Sequence, residues 1–200
     1  MSKIYLISPP QIDLENFLIN LDLALKTKKI SVFQLRIKGY SNEDLLKIAK
    51  KSKDICRKNS VPFIINDRFD LALEIGADGV HLGSDDGNIA QIRKDSPENF
   101  IIGTSCYDSK HLAAEAVEAG ADYVSFGTFF ASKTKNSKGS PTPEILDWCD
   151  EILPVQSVAI GGIDDQNFSQ LSKADFIAVI SFIWSNENGV EWAIDRLSEK

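Results

Sequence analysis

The sequence predicts an α/β protein built as a single (β/α)8 TIM barrel that takes up residues 1–200 as one domain. Three observations predict it. Short β-branched runs alternate with amphipathic segments along the whole chain, eight of each, and that alternation builds a parallel sheet flanked by helices. The length of 200 residues sits at the lower limit of this barrel class, roughly 200, which leaves little room for insertions. An open doubly wound sheet would carry a Gly-rich turn after the first strand, and Ser8-Pro9-Pro10 stands there instead.

Ile4 to Ser8 reads as the first strand and Leu14 to Thr27 as its helix, with Leu14, Phe17, Leu18, Leu21, Leu23 and Leu25 clustered at roughly helical spacing. Val32 to Arg36 is the second strand. Its helix starts at Ser41, where Ser-Asn-Glu-Asp has the form of a capping box with Asp for Glu, and runs towards Cys56. Pro62 to Ile65, Gly79 to Leu82, Phe100 to Ser105 and Tyr123 to Phe126 are the next four strands. The helices between them are Phe69 to Ile75, Ile89 to Lys94 and Ser109 to Ala119. A loop follows, and Thr142-Pro143-Glu144 opens a helix with a cap residue and Pro in its first turn. Strands Val155 to Ile160 and Phe176 to Ile180, with helices Gln166 to Ser172 and Val190 to Leu197, complete the series.

Composition narrows the function classes. With 43% hydrophobic and 26% charged residues the chain has the make-up of a soluble globular domain. A net charge of -7 argues against nucleic acid as a partner, because phosphate-backbone binding relies on a basic face. The three cysteines, Cys56, Cys106 and Cys149, are far apart and lack CxxC spacing, which suits reduced thiols and a cytoplasmic location. The first ten residues lack the apolar core of a signal peptide, and Phe176 to Trp184, the longest apolar run, is too short to span a bilayer, so no membrane partner is expected.

Barrels of this class carry their sites at the carboxyl ends of the strands, so the residues that follow each strand hold the functional signal. The run from Val32 ends in alternating Gln34, Arg36 and Lys38. Side chains two apart on a strand share a face, so all three point into the enclosed space, and two cations there need an anion. The alternative is an edge strand with solvated charges. Asp67 and Asp86 also have two readings. Each caps the helix that follows it, or the two converge with Arg36, Lys38 and Lys135 on a diphosphate and its Mg²⁺, an ion that takes one or two carboxylates plus phosphate oxygens. Gly161-Gly162 and the run Ile180 to Trp184, turning into a short helix, form a second anion cradle, or the glycines make only a turn. The stretch Ser132 to Lys138 is a solvated charge run or a lid over the mouth. His111 reads as solvated, His81 as a core or supporting residue. No Ser/His/Asp or Cys/His arrangement emerges.

The motifs together resemble the thiamine phosphate synthase family. They are Gln34-Leu35-Arg36-Ile37-Lys38, Asn66-Asp67-Arg68, Ala77-Asp78-Gly79-Val80-His81-Leu82-Gly83, Gly120-Ala121-Asp122-Tyr123-Val124, Thr134-Lys135 and Ala159-Ile160-Gly161-Gly162-Ile163, in order from the first strand to about Trp184. The resemblance implies a transferase of an alkyl group other than methyl. It would join 4-amino-5-hydroxymethyl-2-methylpyrimidine diphosphate to a 4-methyl-5-hydroxyethylthiazole phosphate, or its carboxylated precursor, and release diphosphate. By the same resemblance Gln34, Leu35, Arg36, Ile37 and Lys38 would contact the pyrimidine diphosphate, with Asn66, Ser105 and Lys135 completing that pocket, and Arg36, Lys38 and Lys135 would be the catalytic cations. Asp67 and Asp86 would hold Mg²⁺. Ser132, Lys133 and Thr134, with Gly162, Ile180 and Ser181, would receive the thiazole phosphate. The expected partners are these small molecules, and a homodimer is compatible with the sequence. Ser84, Thr128, Ala131 and Phe182 depart from the family pattern. A thiazole tautomerase, or another phosphate-binding barrel protein, is the alternative; tautomerases would use a His near the end of the fifth strand, where this chain has Cys106 and Tyr107.

Overall fold

The computed structural model describes residues 2–83, 87–131 and 139–198. Eight parallel strands close on themselves in chain order, each hydrogen-bonded to its sequence neighbours and the last to the first. They are β1 (Lys3–Ile7), β2 (Ile30–Leu35), β3 (Phe63–Asn66), β4 (Gly79–Leu82), β5 (Ile101–Tyr107), β6 (Tyr123–Phe126), β7 (Gln156–Ile160) and β8 (Phe176–Val179). The helices are α1 (Leu14–Lys26), α2 (Asn42–Asn59), α3 (Phe69–Ile75), α4 (Ile89–Asp95), α5 (Lys110–Glu118), α6 (Glu144–Ile152), α7 (Ser181–Trp184) and α8 (Val190–Arg196). Among the described residues no helix is long and apolar enough to cross a membrane.

Local chemistry explains most boundaries. Asp13, Ser41, Asn88 and Ser109 each stand before a helix and accept from the backbone N–H three residues on, satisfying a donor the helix leaves open. Ser41 also donates its hydroxyl to the Asp44 carboxylate at 2.7 Å, so the return contact joins the two side chains, where a capping box would bond the Ser41 N–H. Two expectations are corrected. Gln166 to Ser172 forms a single 3-10 turn, Phe168–Leu171, held by a three-residue hydrogen bond from Gln170 N–H to Asn167 O. For α6 the cap position belongs to Pro143, already helical at φ -55°, so the helix opens one residue later than Thr142 would place it and without a side-chain cap.

Side chains divide by strand face. Outward residues such as Phe33, Leu35, Phe63 and Val124 pack with Leu21, Leu25, Ile48 and Leu146 of the helices in one continuous core. Each such fully buried side chain contributes about 1.5–3 kcal/mol. The barrel interior is a second, smaller cluster of Tyr5, Ile7, Tyr123, Val158, Phe176 and Ala178. Gly103 is needed there: a Cβ at this position would lie inside the Tyr123 ring.

The amino-terminal end of the barrel is tied by a repeated device. Asp78, Asp122 and Asp175, each preceded by Ala and each just before a strand, accept from the backbone N–H of Phe63, Ile102 and Ser157 near the start of the strand before. Asp122 also pairs with Arg93, whose guanidinium donates to the carbonyls of Phe100 and Gly120. Conserving strength at this end is a matter of stability, not chemistry. Asp122→Ala leaves the Ile102 N–H without its acceptor and is expected to cost about 1–3 kcal/mol, a fall in Tm of the order of 5 °C, with KM unchanged. Thermal unfolding and initial rates on the same preparation check it.

Candidate active site

The carboxyl end of β2 is extended by the segment that follows β1. Ser8 N–H donates to Gln34 O at 2.9 Å, Arg36 N–H donates to the Ser8 hydroxyl at 2.8 Å, and Lys38 N–H donates to Pro10 O at 3.1 Å. The Pro residues offer carbonyls without competing donors, so Ser8-Pro9-Pro10 keeps the chain extended past Leu35. Alternation therefore continues. Gln34 lies on the inner face and is 2% exposed, Arg36 is half-buried, and Lys38 is exposed. Leu35 and Ile37 lie on the other face and pack on the helix-side core.

The described cations are unevenly paired. Arg68, Arg93 and Arg196 pair with Asp70, Asp122 and Asp165. Arg36 and Lys38 form no ion pair with any described residue. Arg68 is thereby turned to the outer surface, where it also donates to Asn42.

Asp67 follows β3 in the left-handed region, at φ 63°, with its N–H donating to His81 O at 2.8 Å. The cap position of α3 is Arg68, whose side chain makes no cap hydrogen bond, and Asp67 stands one residue before it. The matching role near Ile89 is filled by Asn88. Asp86 itself, with Ser84 and the run Ser132, Lys133, Thr134 and Lys135, lies outside the described residues. No group of three or more His, Cys, Asp and Glu that could hold a metal occurs among the described residues.

Inside the barrel, below this mouth, four side chains form a hydrogen-bonded row. Tyr5 Oη lies 2.7 Å from Tyr123 Oη, which lies 2.9 Å from His81 Nδ1, and His81 Nε2 lies 3.0 Å from Ser105 Oγ. Burial raises the pKa of both phenols above the usual tyrosine range, so they stay neutral. Ser105 is half-buried in the carboxyl half of β5, just before an irregularity in the β5–β6 register. Asn66 sits beside His81 in the β3–β4 register. His81 thus has a supporting place, and His111 is solvated against Glu115. Cys106 faces the outer core, where burial pushes its thiol up to about 12, so it is no nucleophile.

Across the mouth, Gly161 and Gly162 are in the left-handed region at φ 110° and 63°. A Cβ on Gly162 would meet the carbonyls of Ala131 at 2.6 Å and Phe130 at 2.7 Å, and one on Gly161 would clash with Thr128. Phe129 and Phe130 donate to the carbonyls of Ile160 and Gly161. The glycine pair therefore has a packing reason of its own, the seating of the segment after β6. Ile180 and Ser181 open α7, and Trp184 anchors that helix by donating to Ile7 O at 2.7 Å. The first N–H groups of such a helix have no intrahelical acceptor.

Comparison with known proteins places this geometry. The family model described as thiamine monophosphate synthase matches residues 4–183. The chain belongs to the thiamine monophosphate synthase family. It is 45% identical over 186 residues to a thiamine-phosphate synthase of Pelagibacter ubique, covering 92% of this chain and 89% of that one. Against one from Rhodospirillum centenum it is 40% identical over 194 residues, covering 96% and 94%. A solved thiamine phosphate pyrophosphorylase from Pyrococcus furiosus superposes with a TM-score of 0.85 at 33% identity, covering 98% of this chain and 94% of that one. A 3-hexulose-6-phosphate synthase, at 14% identity and a TM-score of 0.68, shares the fold alone. Tyr5 and Tyr123 carry no sequence signal of a site on their own; their inward positions on β1 and β6 are the one available clue.

Proposed function

We propose that this chain is a one-domain cytoplasmic thiamine phosphate synthase that joins 4-amino-5-hydroxymethyl-2-methylpyrimidine diphosphate to 4-methyl-5-hydroxyethylthiazole phosphate, or its carboxylated precursor. The observation that carries the reading is the pair Arg36 and Lys38, turned toward the barrel mouth with no ion-pair partner among the described residues. In this reading the two cations, with Lys135, bind the diphosphate of the pyrimidine substrate. Gln34, Asn66 and Ser105 fix its pyrimidine end. Ser132, Lys133 and Thr134, together with the backbone at Gly162, Ile180 and Ser181, receive the thiazole phosphate.

The reaction runs by breakage of the carbon–oxygen bond to diphosphate first, with capture of the resulting pyrimidine methyl cation by the thiazole nitrogen. Such a step needs stabilisation of the departing anion and no side-chain nucleophile, in line with the buried, protonated Cys106. Asp67 and Asp86 would hold Mg²⁺, which when bound supplies charge neutralisation of the leaving diphosphate. Each charge-assisted hydrogen bond from Arg36 or Lys38 to that anion contributes about 1.5–3 kcal/mol.

The test is an initial-rate measurement of diphosphate release by purified protein. Release is expected to require both substrates together with Mg²⁺. Release that proceeds at full rate without the thiazole phosphate, or none with all three present, overturns the assignment.

A further inference from the structure

The row of Tyr5, Tyr123, His81 and Ser105 has a direction, and its closed end sets it. Tyr5 is 3% exposed, and its hydroxyl has a single hydrogen-bond partner among the described residues, the hydroxyl of Tyr123. If Tyr123 donated to Tyr5, the Tyr5 proton would be left in the barrel interior with no acceptor. A buried donor without a partner costs far more than an unused lone pair, so Tyr5 donates and Tyr123 accepts. Tyr123 has one proton. It therefore donates to His81 Nδ1, 2.9 Å away. An Nδ1 that accepts fixes the neutral imidazole with its proton on Nε2, and Nε2–H donates to Ser105 Oγ at 3.0 Å. Ser105 is thus an acceptor toward the barrel, and its own proton is left to point elsewhere. The stacking of the His81 and Tyr123 rings, 25° from parallel with centroids 5.6 Å apart, holds the imidazole in the plane this requires.

We propose that Tyr5, Tyr123 and His81 are positioning residues that set Ser105 as a hydrogen-bond donor toward the mouth, so that the substrate atom Ser105 meets is an acceptor, a ring nitrogen or a diphosphate oxygen. The substrate half of this inference rests on the assignment of Ser105 to the pyrimidine diphosphate pocket. The direction of the row rests on the protein alone.

The chain has only two histidines, His81 and His111, which makes the direction readable by ¹⁵N NMR of histidine-labelled protein without ligand. His81 is expected as a neutral ring with bare Nδ1 and protonated Nε2. Tyr5→Phe is expected to keep that tautomer, because Tyr123 then becomes the closed end and still donates to His81. Protonated Nδ1 on a neutral His81 ring in the wild-type protein overturns the inference.

Kinetics test the consequence. Tyr123→Phe removes the donor to Nδ1 and is expected to raise KM for the pyrimidine diphosphate about tenfold, with KM for the thiazole phosphate unchanged. In a Ser105→Ala background the same substitution is expected to have no further effect, since it acts through Ser105. A Tyr123→Phe effect of equal size in both backgrounds marks a merely structural role and overturns the inference. Ser105→Ala with an ordinary KM for the pyrimidine diphosphate, beside the expected tautomer, instead overturns the pocket assignment and with it the substrate half.

Discussion

Arg36→Ala is expected to lower kcat/KM by about 10²–10³-fold while moving stability by no more than about 0.5 kcal/mol. The two halves follow from the same geometry. Arg36 is half-buried, forms no ion pair with any described residue, and is tied to the fold through its backbone N–H on Ser8. Truncating its side chain leaves that backbone bond in place and strands no carboxylate. What is lost is a cation that the folded protein does not need and a departing diphosphate does. Arg36→Lys is expected to recover only part of the activity, because an ammonium cannot reproduce the two-pronged hydrogen bonding of a guanidinium to phosphate. Steady-state rates beside thermal unfolding curves decide the matter. A variant with a normal rate returns Arg36 to a solvated edge charge, and one that fails because it unfolds gives Arg36 a structural role.

Asp67→Asn is expected to raise the Mg²⁺ concentration for half-maximal rate tenfold or more, with Tm close to wild type. A charge-assisted contact is worth about 1.5–3 kcal/mol, and Asn removes the charge while keeping the shape. The backbone argument makes Asn the informative choice. Asp67 stands at φ 63°, a conformation that Asp and Asn adopt more readily than other non-glycine residues. Asp67→Ala loses the same carboxylate and adds left-handed strain of roughly 1 kcal/mol, so it should also melt earlier. Titration of the rate with Mg²⁺ for both variants separates the ligand from the backbone role. An Asn variant with an unchanged Mg²⁺ requirement contradicts the assignment.

Much of the barrel was legible in the sequence because period-two and period-3.6 patterns are local. Helix α3 and strands β4 and β6 occur where spacing and caps predict them. The misses are places where a longer-range contact decides. Strand β5 runs two residues beyond Ser105 because its register against β6 slips between Ser105 and Tyr107, and nothing in Cys106-Tyr107 announces that. The 3-10 turn at Phe168 depends on Asp164 accepting from Gln166 and Asn167. At the mouth, Arg36, Lys38 and Asp67 are visible as candidates because polar residues just past a strand stand out from apolar runs. Tyr5 and Tyr123 did not stand out. A tyrosine inside an aliphatic strand reads as one more core residue, and the hydrogen bond that gives the pair its meaning spans 118 positions. The glycine pair after β7 was legible as a close approach; what approaches includes the segment Thr128 to Ala131 of the protein itself.

A mouth beside β2 and β3 that takes a diphosphate and its metal must bind both at Asp67, Arg36 and Lys38. Crystals grown with inorganic diphosphate and Mn²⁺ in place of Mg²⁺ test it most directly, since the anomalous signal of manganese locates the ion without ambiguity. The expected result is a manganese peak bonded to the Asp67 carboxylate and to diphosphate oxygens, with Arg36 and Lys38 on the same anion. A diphosphate bound away from Arg36, or a metal that leaves Asp67 unengaged, would contradict it.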